Sequence, residues 1–186
     1  MFKQLCSFVA TMALTASIAH AASVDVDDRK DFQVFKDVAT SVERYAQFTI
    51  FDDVSASVKD GVVTLTGKVT MPYKRDDIGR RVAKVDGVSD VRNQMTVLPV
   101  SQFDQELRYR IARSIYNNSN FWNYAIMANP PIHIIVEHGR VTLTGVVQSE
   151  VDRMLARSLA TQFGALSVTN ALKTDAEVSA TLEKSE

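Results

Sequence analysis

Residues 60–69 read DGVVTLTGKV and residues 138–147 read HGRVTLTGVV. Gly61, Val63, Thr64, Leu65, Thr66, Gly67 and Val69 recur 78 positions later, so seven of the ten positions match. A repeat of this kind has to be recognised before elements are assigned, because each copy is one structural unit. Each stretch also reads as a hairpin. The β-rich runs Val54 to Lys59 and Val62 to Val69 flank Asp60-Gly61, and Ile132 to Glu137 and Arg140 to Val147 flank His138-Gly139. A two-residue hairpin turn needs positive φ at both positions, which glycine adopts without steric cost.

Outward from the hairpins the two copies keep the same order. Before each, apolar residues fall at helical spacing: Phe35, Val38, Val42 and Tyr45 in the first copy, Phe103, Leu107, Ile111 and Ile115 in the second. After each comes a second helix, opened by Pro72 or Ser149, with Ile78, Val82 and Val85 or Val151, Leu155 and Leu159 on its apolar stripe. Gly87, Val91 and Asn93 then recur as Gly164, Val168 and Asn170 at a spacing of 77, within closing strands from Val88 to Val97 and Leu166 to Leu172. The predicted class is α+β: two tandem αββαβ modules, each a three-stranded sheet covered on one face by two helices. Their bounds are 31–99 and 101–174, with Ser101 placed to cap the helix that follows a short linker.

The chain begins with Lys3, an apolar run from Leu5 to Ile18, and small residues at Ala19 and Ala21. This is the pattern of a secretory signal peptide over residues 1–21, and the run is too short and too interrupted by Ser7, Thr11, Thr15 and Ser17 to span a bilayer. A flexible stretch is expected over 22–30 and a tail over 175–186. Cys6 is the only cysteine, so cleavage leaves a chain with neither disulfides nor thiolate ligands, held by its core alone. Cleavage also removes Lys3, leaving 20 basic against 22 acidic residues and a formal charge of −2, which gives no sign of a polyanionic partner.

The glycine turn, the V-T-L-T-G-x-V run, the helix and the G-x-x-x-V-x-N segment together resemble the BON domain, over nearly all of the exported chain. The matching positions are Gly61, Gly67, Gly87, Val91 and Asn93, then Gly139, Gly145, Gly164, Val168 and Asn170. Ala165 departs from the larger aliphatic residue usual there. The resemblance implies a bacterial envelope protein of the kind found among osmotically inducible periplasmic proteins, with phospholipid or envelope association and a part in osmotic stress. The shared positions are structural ones.

A search for chemistry finds little. His133 and His138 are the histidines outside the signal segment, and an odd separation on a strand puts them on opposite faces, so no shared metal site is expected. No serine sits in a G-x-S-x-G elbow and no glycine-rich phosphate loop is present. Asp52-Asp53 and Asp76-Asp77 read as solvated surface. No G-x-x-G clamp supports nucleic-acid binding. The expectation is a non-catalytic protein without cofactor or metal, whose partner is a phospholipid surface or an envelope protein, or a chaperone-like holder of other chains; its oligomeric state is open.

Two surfaces are candidates for that partner. Between first helix and hairpin the second copy uses fifteen residues, 117–131, where the first uses eight, 46–53. Long irregular connections in compact domains tend to be functional, and this one carries Phe121, Trp122 and Tyr124, with Ile126, Met127 and Pro130-Pro131 behind. These aromatics either meet a membrane or protein interface or pack inward. The other candidate is basic: Arg80, Arg81 and Lys84 in the first copy, Arg153 and Arg157 in the second, each able to meet a lipid phosphate but diluted by Asp77 and Asp152.

Overall fold

The computed structural model describes residues 26–183, and the expected export signal over 1–21 lies outside them. The first module runs α1 (Val26–Glu43), β1 (Asp53–Lys59), β2 (Val62–Val69), α2 (Pro72–Val82), β3 (Asp90–Asn93) and β4 (Thr96–Val97). The second runs α3 (Gln102–Tyr116), a 3-10 turn, α4 (Trp122–Ala125), β5 (Ile132–Glu137), β6 (Arg140–Val147), α5 (Glu150–Ala160), β7 (Ser167–Asn170) and β8 (Lys173–Thr174), followed by α6 (Asp175–Glu183).

Both modules have the predicted αββαβ order. β1 and β2 pair antiparallel with Ala56 opposite Leu65, and β5 and β6 repeat the register with Ile134 opposite Leu143. β3 lies parallel to β2 and β7 parallel to β6, so the chain must cross the sheet between them, which α2 and α5 do. Val63 faces Val91 and Val141 faces Val168 in those pairs. Each closing strand is broken in two, giving four strands per sheet rather than three, because at the break the side chain of a motif asparagine bonds to the second helix of its module and to the chain beyond. Asn93 Nδ2 donates to the Arg75 carbonyl at 2.8 Å, and its Oδ1 accepts from Met95 N. Asn170 repeats both bonds with Arg153 and Leu172.

Two expectations at the ends need correcting. Helix α1 starts at Val26, inside the stretch read as flexible, and α6 occupies most of the stretch read as a tail. Each helical stripe of the second module has one misplaced member as well. Phe103 and Val151 are exposed, while α5 meets its core through Ala156 and Ala160 together with the partly buried Leu155 and Leu159. Otherwise the stripes bury as read, Val38, Val42, Ile78 and Val82 over one sheet and Leu107, Ile111 and Ile115 over the other.

The hairpin turns have left-handed backbone at both positions, Asp60 and Gly61 at φ 52° and 73°, His138 and Gly139 at 51° and 73°. Each is clamped by an aspartate from the first helix of its module. Asp31 accepts from the amides of Asp60 and Gly61 at 2.7 and 2.9 Å, and Asp104 from those of His138 and Gly139 at 2.8 and 2.7 Å. Gly67 and Gly145 serve the other end of the hairpin, where a Cβ would stand 2.2 Å from the Asp53 carbonyl and 1.8 Å from that of Pro131. Replacing Asp104 by alanine orphans two amides, one of them buried, and is expected to cost about 1–3 kcal/mol. Asp31→Ala, at a more exposed turn, should cost less in the same denaturant titration.

Candidate interaction surface

The connection over 117–131 is ordered, with a 3-10 turn at Ser119–Phe121 and helix α4, and it divides its aromatics. Phe121 and Tyr124 are buried at 0 and 3 % exposure, so the reading of these two as a binding surface is corrected: they are core. Trp122 and Ile126, on the same short helix and next turn, stand 66 and 65 % exposed. Tyr124 Oη accepts from Gln148 N at 2.7 Å and donates to Asp152 at 3.1 Å, which fastens α4 to the start of α5. Burial first, and Asp152 with it, pushes this phenol up to about 12. Around the fastening point α5 leaves Val151 and Met154 exposed, one helical turn apart.

The first module exposes a smaller apolar group there, Met71 and Tyr73 at the start of α2. Helices α2 and α5 are equally long, and the positions of Val151 and Met154 are filled there by Tyr73 and Asp76. The second copy thus exposes an apolar pair one turn apart on this helix, where the first exposes Tyr73 alone.

The basic candidates fare differently. Arg153 is spent on structure: it binds Glu150 at 2.5 Å and Glu177 at 3.0 Å, anchoring α6, and hydrogen bonding to Glu150 first raises its pKa. Arg80 pairs with Asp77, and Arg81 donates to the Ser41 carbonyl at 3.3 Å while its guanidinium lies over the Tyr45 ring. Lys84, in the turn after α2, and Arg157, on α5, remain exposed. The two basic sets lie on separate modules and are mostly engaged in pairs.

Asp52 corrects a further reading, since it has no exposed surface. Its carboxylate binds Lys74 Nζ at 2.6 Å and accepts from the amides and hydroxyls of Thr49 and Thr70. Beside it the modules meet. His133 Nδ1–H donates to the Asp52 carbonyl at 2.6 Å, Ile134 N donates to the Ile50 carbonyl at 2.7 Å, and Thr144 donates to Asp53 at 3.1 Å. Lys68 pairs with Glu137, Phe48 lies against the His133 ring, and Phe51 meets Tyr109 edge-on. Asp53, Lys68, His133, Glu137 and Thr144 all stand on the helix-free faces of their sheets, so these faces meet across the seam. Burial holds His133 below the usual histidine range, despite Asp53 and the Asp52 carbonyl favouring the cation.

A cleft of about 160 Å³ opens at this seam between Glu43, Phe48, Asn129, Pro130 and His133. Its one acidic side chain, Glu43, has a pKa raised by burial. His138 is in the exposed hairpin turn, away from His133. Among the described residues, no three His, Cys, Asp or Glu side chains are grouped to hold a metal ion, and no helix is long and apolar enough to cross a membrane.

The BON domain family matches the chain twice, at residues 30–99 and 104–176. The chain belongs to the BON family. Two BON domains point to a non-catalytic protein associated with the cell envelope, and the family is generally non-enzymatic. No curated protein matches the chain in sequence. Among solved structures, the C-terminal domain of CdsD, the structural protein of the type III secretion system of Chlamydia trachomatis, is 13 % identical with a TM-score of 0.32, over 76 % of this chain and 65 % of that one. A second CdsD structure is 11 % identical with a TM-score of 0.29, over 81 % of this chain and 97 % of that one. This BON protein thus spans a little under two thirds of the first CdsD chain.

The split within α4 has a direct test by denaturant unfolding. Tyr124→Phe leaves the Gln148 amide without its acceptor and is expected to cost about 1–3 kcal/mol. Trp122→Ala removes only exposed surface and should stay within about 0.5 kcal/mol of the parent.

Proposed function

We propose that this protein is exported to the periplasm and associates with the phospholipid surface of the envelope through its second module. The observation that supports the reading is the exposed apolar group Trp122, Ile126, Val151 and Met154, two of them on either side of the Tyr124–Asp152 bond that joins α4 to α5. Clustered exposed apolar side chains mark interaction sites, and tryptophan favours the membrane–water interface. The export pattern over residues 1–21 and the family's envelope association agree with the location, and a role in osmotic stress protection follows from the same resemblance.

The chemistry of the patch sets the mode of binding. Arg157 is the exposed cation one turn from Met154, while Glu150 and Asp152 flank Val151, so the surface carries no net positive field to draw anionic lipid. Insertion of apolar side chains then supplies the affinity, and the protein should bind zwitterionic and anionic vesicles alike, with little loss at raised salt.

Vesicle flotation tests this. Wild type should float with the lipid and show a blue shift in Trp122 emission, Trp122 being the only tryptophan. Trp122→Ala should weaken partition about tenfold, since burying a large apolar side chain is worth roughly 1.5–3 kcal/mol and 1.4 kcal/mol is a factor of ten. Absence of flotation with both lipid types would remove the proposal.

A further inference from the structure

The cleft at the seam is built by both modules. Glu43 ends α1, Phe48, Thr49 and Ile50 come from the loop before β1, Ala128, Asn129 and Pro130 close the long connection of the second module, and His133 stands on β5. Asn129 Nδ2 donates to the Glu43 carbonyl at 3.0 Å, and the Phe48 and His133 rings lie 5.4 Å apart, so the two walls are held against each other. None of Trp122, Ile126, Val151 and Met154 lines the cleft, which is therefore distinct from the apolar surface on α4 and α5.

Its chemistry is one-sided. No lysine or arginine lines it, and Arg44, next to Glu43 in the chain, is exposed and not part of the wall. Burial keeps His133 neutral, which leaves Glu43 as the charged group. Among the described residues, the Glu43 carboxylate has no hydrogen bond or ion pair, and only its backbone carbonyl is engaged. Burial raises its pKa with no neighbouring donor or cation to offset the effect. A partly buried carboxylate in this position has lost hydration and gained no partner, and a cation in the cleft would supply one. The repeat places Tyr116 at the position of Glu43, and its hydroxyl is engaged by Ile132, so the acid is peculiar to the first copy.

The rest of the wall decides which cation fits. A metal ion needs several oxygen or nitrogen ligands at fixed distances, and one carboxylate does not provide them. An ammonium group brings methyl or methylene substituents that suit Phe48, Ile50, Ala128 and Pro130, while its charge suits a carboxylate beside an aromatic ring. At about 160 Å³ the cleft has about half of the roughly 300 Å³ at which pockets for drug-sized molecules begin, so only a small group enters. We infer that the seam cleft binds an ammonium group, carried either by a small free amine or by the headgroup of an ethanolamine or choline lipid. The cleft stands independently of the membrane surface on the second module.

Titration with tetramethylammonium chloride and with ethanolammonium chloride, read by amide resonances, tests the inference. Both salts should shift the amides of Thr49, Ile50 and Asn129 saturably in the millimolar range, while sodium chloride at equal concentration should not. Glu43→Gln should weaken both at least about tenfold with no change in melting temperature, since its carboxylate holds nothing in the fold. Phe48→Leu should weaken them about two- to fivefold. Dihexanoylphosphatidylethanolamine below its micelle concentration separates the sources. Tighter binding than ethanolammonium assigns the site to a lipid headgroup, and binding no tighter assigns it to a free amine. Glu43→Gln should float with phosphatidylglycerol vesicles as wild type does, so the cleft and the apolar surface fail separately. Absence of saturable shifts at the cleft amides, equal shifts with sodium chloride, or an unchanged affinity in Glu43→Gln would overturn the inference.

Discussion

The Asp52 carboxylate, with no surface exposed, accepts hydrogen bonds from five donors: the amides and hydroxyls of Thr49 and Thr70, and the Lys74 ammonium. A charge removed from water is tolerable only with this density of partners, because its desolvation otherwise exceeds what one ion pair returns. The partners come from different places in the chain. Thr49 belongs to the loop before β1, Thr70 ends the hairpin, and Lys74 lies in the first turn of α2. Holding them together fixes the loop from Phe48 to Asp52, and that loop presents its carbonyls to β5 of the second module. The seam between modules therefore depends on a buried ion pair inside the first.

The second module solves the same local problem with opposite polarity. At the position of Thr70 it has Gln148, whose amide is satisfied by Tyr124 Oη instead of a carboxylate, and at the position of Lys74 it has Asp152, which accepts the tyrosine proton. Tyr124 arrives on α4, within the longer connection of this copy. The extra residues thus have a structural cause, and their by-product is exposure: a short helix pinned by Tyr124 on its inner side must turn Trp122 outward. The first helices differ in the same way: Arg108 and Tyr116 hydrogen-bond the outward backbone of β5, where the first module has Phe35, packed against the core that holds Val54 and Ala56, and Glu43.

Much of this was legible in the sequence. The V-T-L-T-G-x-V repeat gives the hairpins, the positive-φ turns and the module order, because those features follow from local backbone demands. The motif glycines and asparagines also fall where close approach or a side-chain bond to the neighbouring helix requires them. What periodicity does not encode is which polar residues lie inside. Asp52 reads as surface because its partners are spread over more than twenty residues, and Arg108 and His133 are hidden by contacts with another element or the other module. Phe121, Trp122 and Tyr124 are alike in composition, and only the fold of α4 separates core from surface. The turn clamp has a sequence signal of its own, an aspartate, Asp31 or Asp104, early in the first helix of each module.

The central claim is that the two modules are one cooperative unit joined through the Asp52 loop. Trp122, the only tryptophan, reports the second module, whereas Asp52 lies in the first. Denaturant unfolding of Asp52→Ala, which leaves Lys74 buried without its partner at a cost of about 3–5 kcal/mol, should be followed by Trp122 fluorescence and far-ultraviolet circular dichroism together. The account predicts that both signals shift to the same lower midpoint in a single transition. A fluorescence transition that stays at the wild-type midpoint while the dichroism splits into two steps would contradict it.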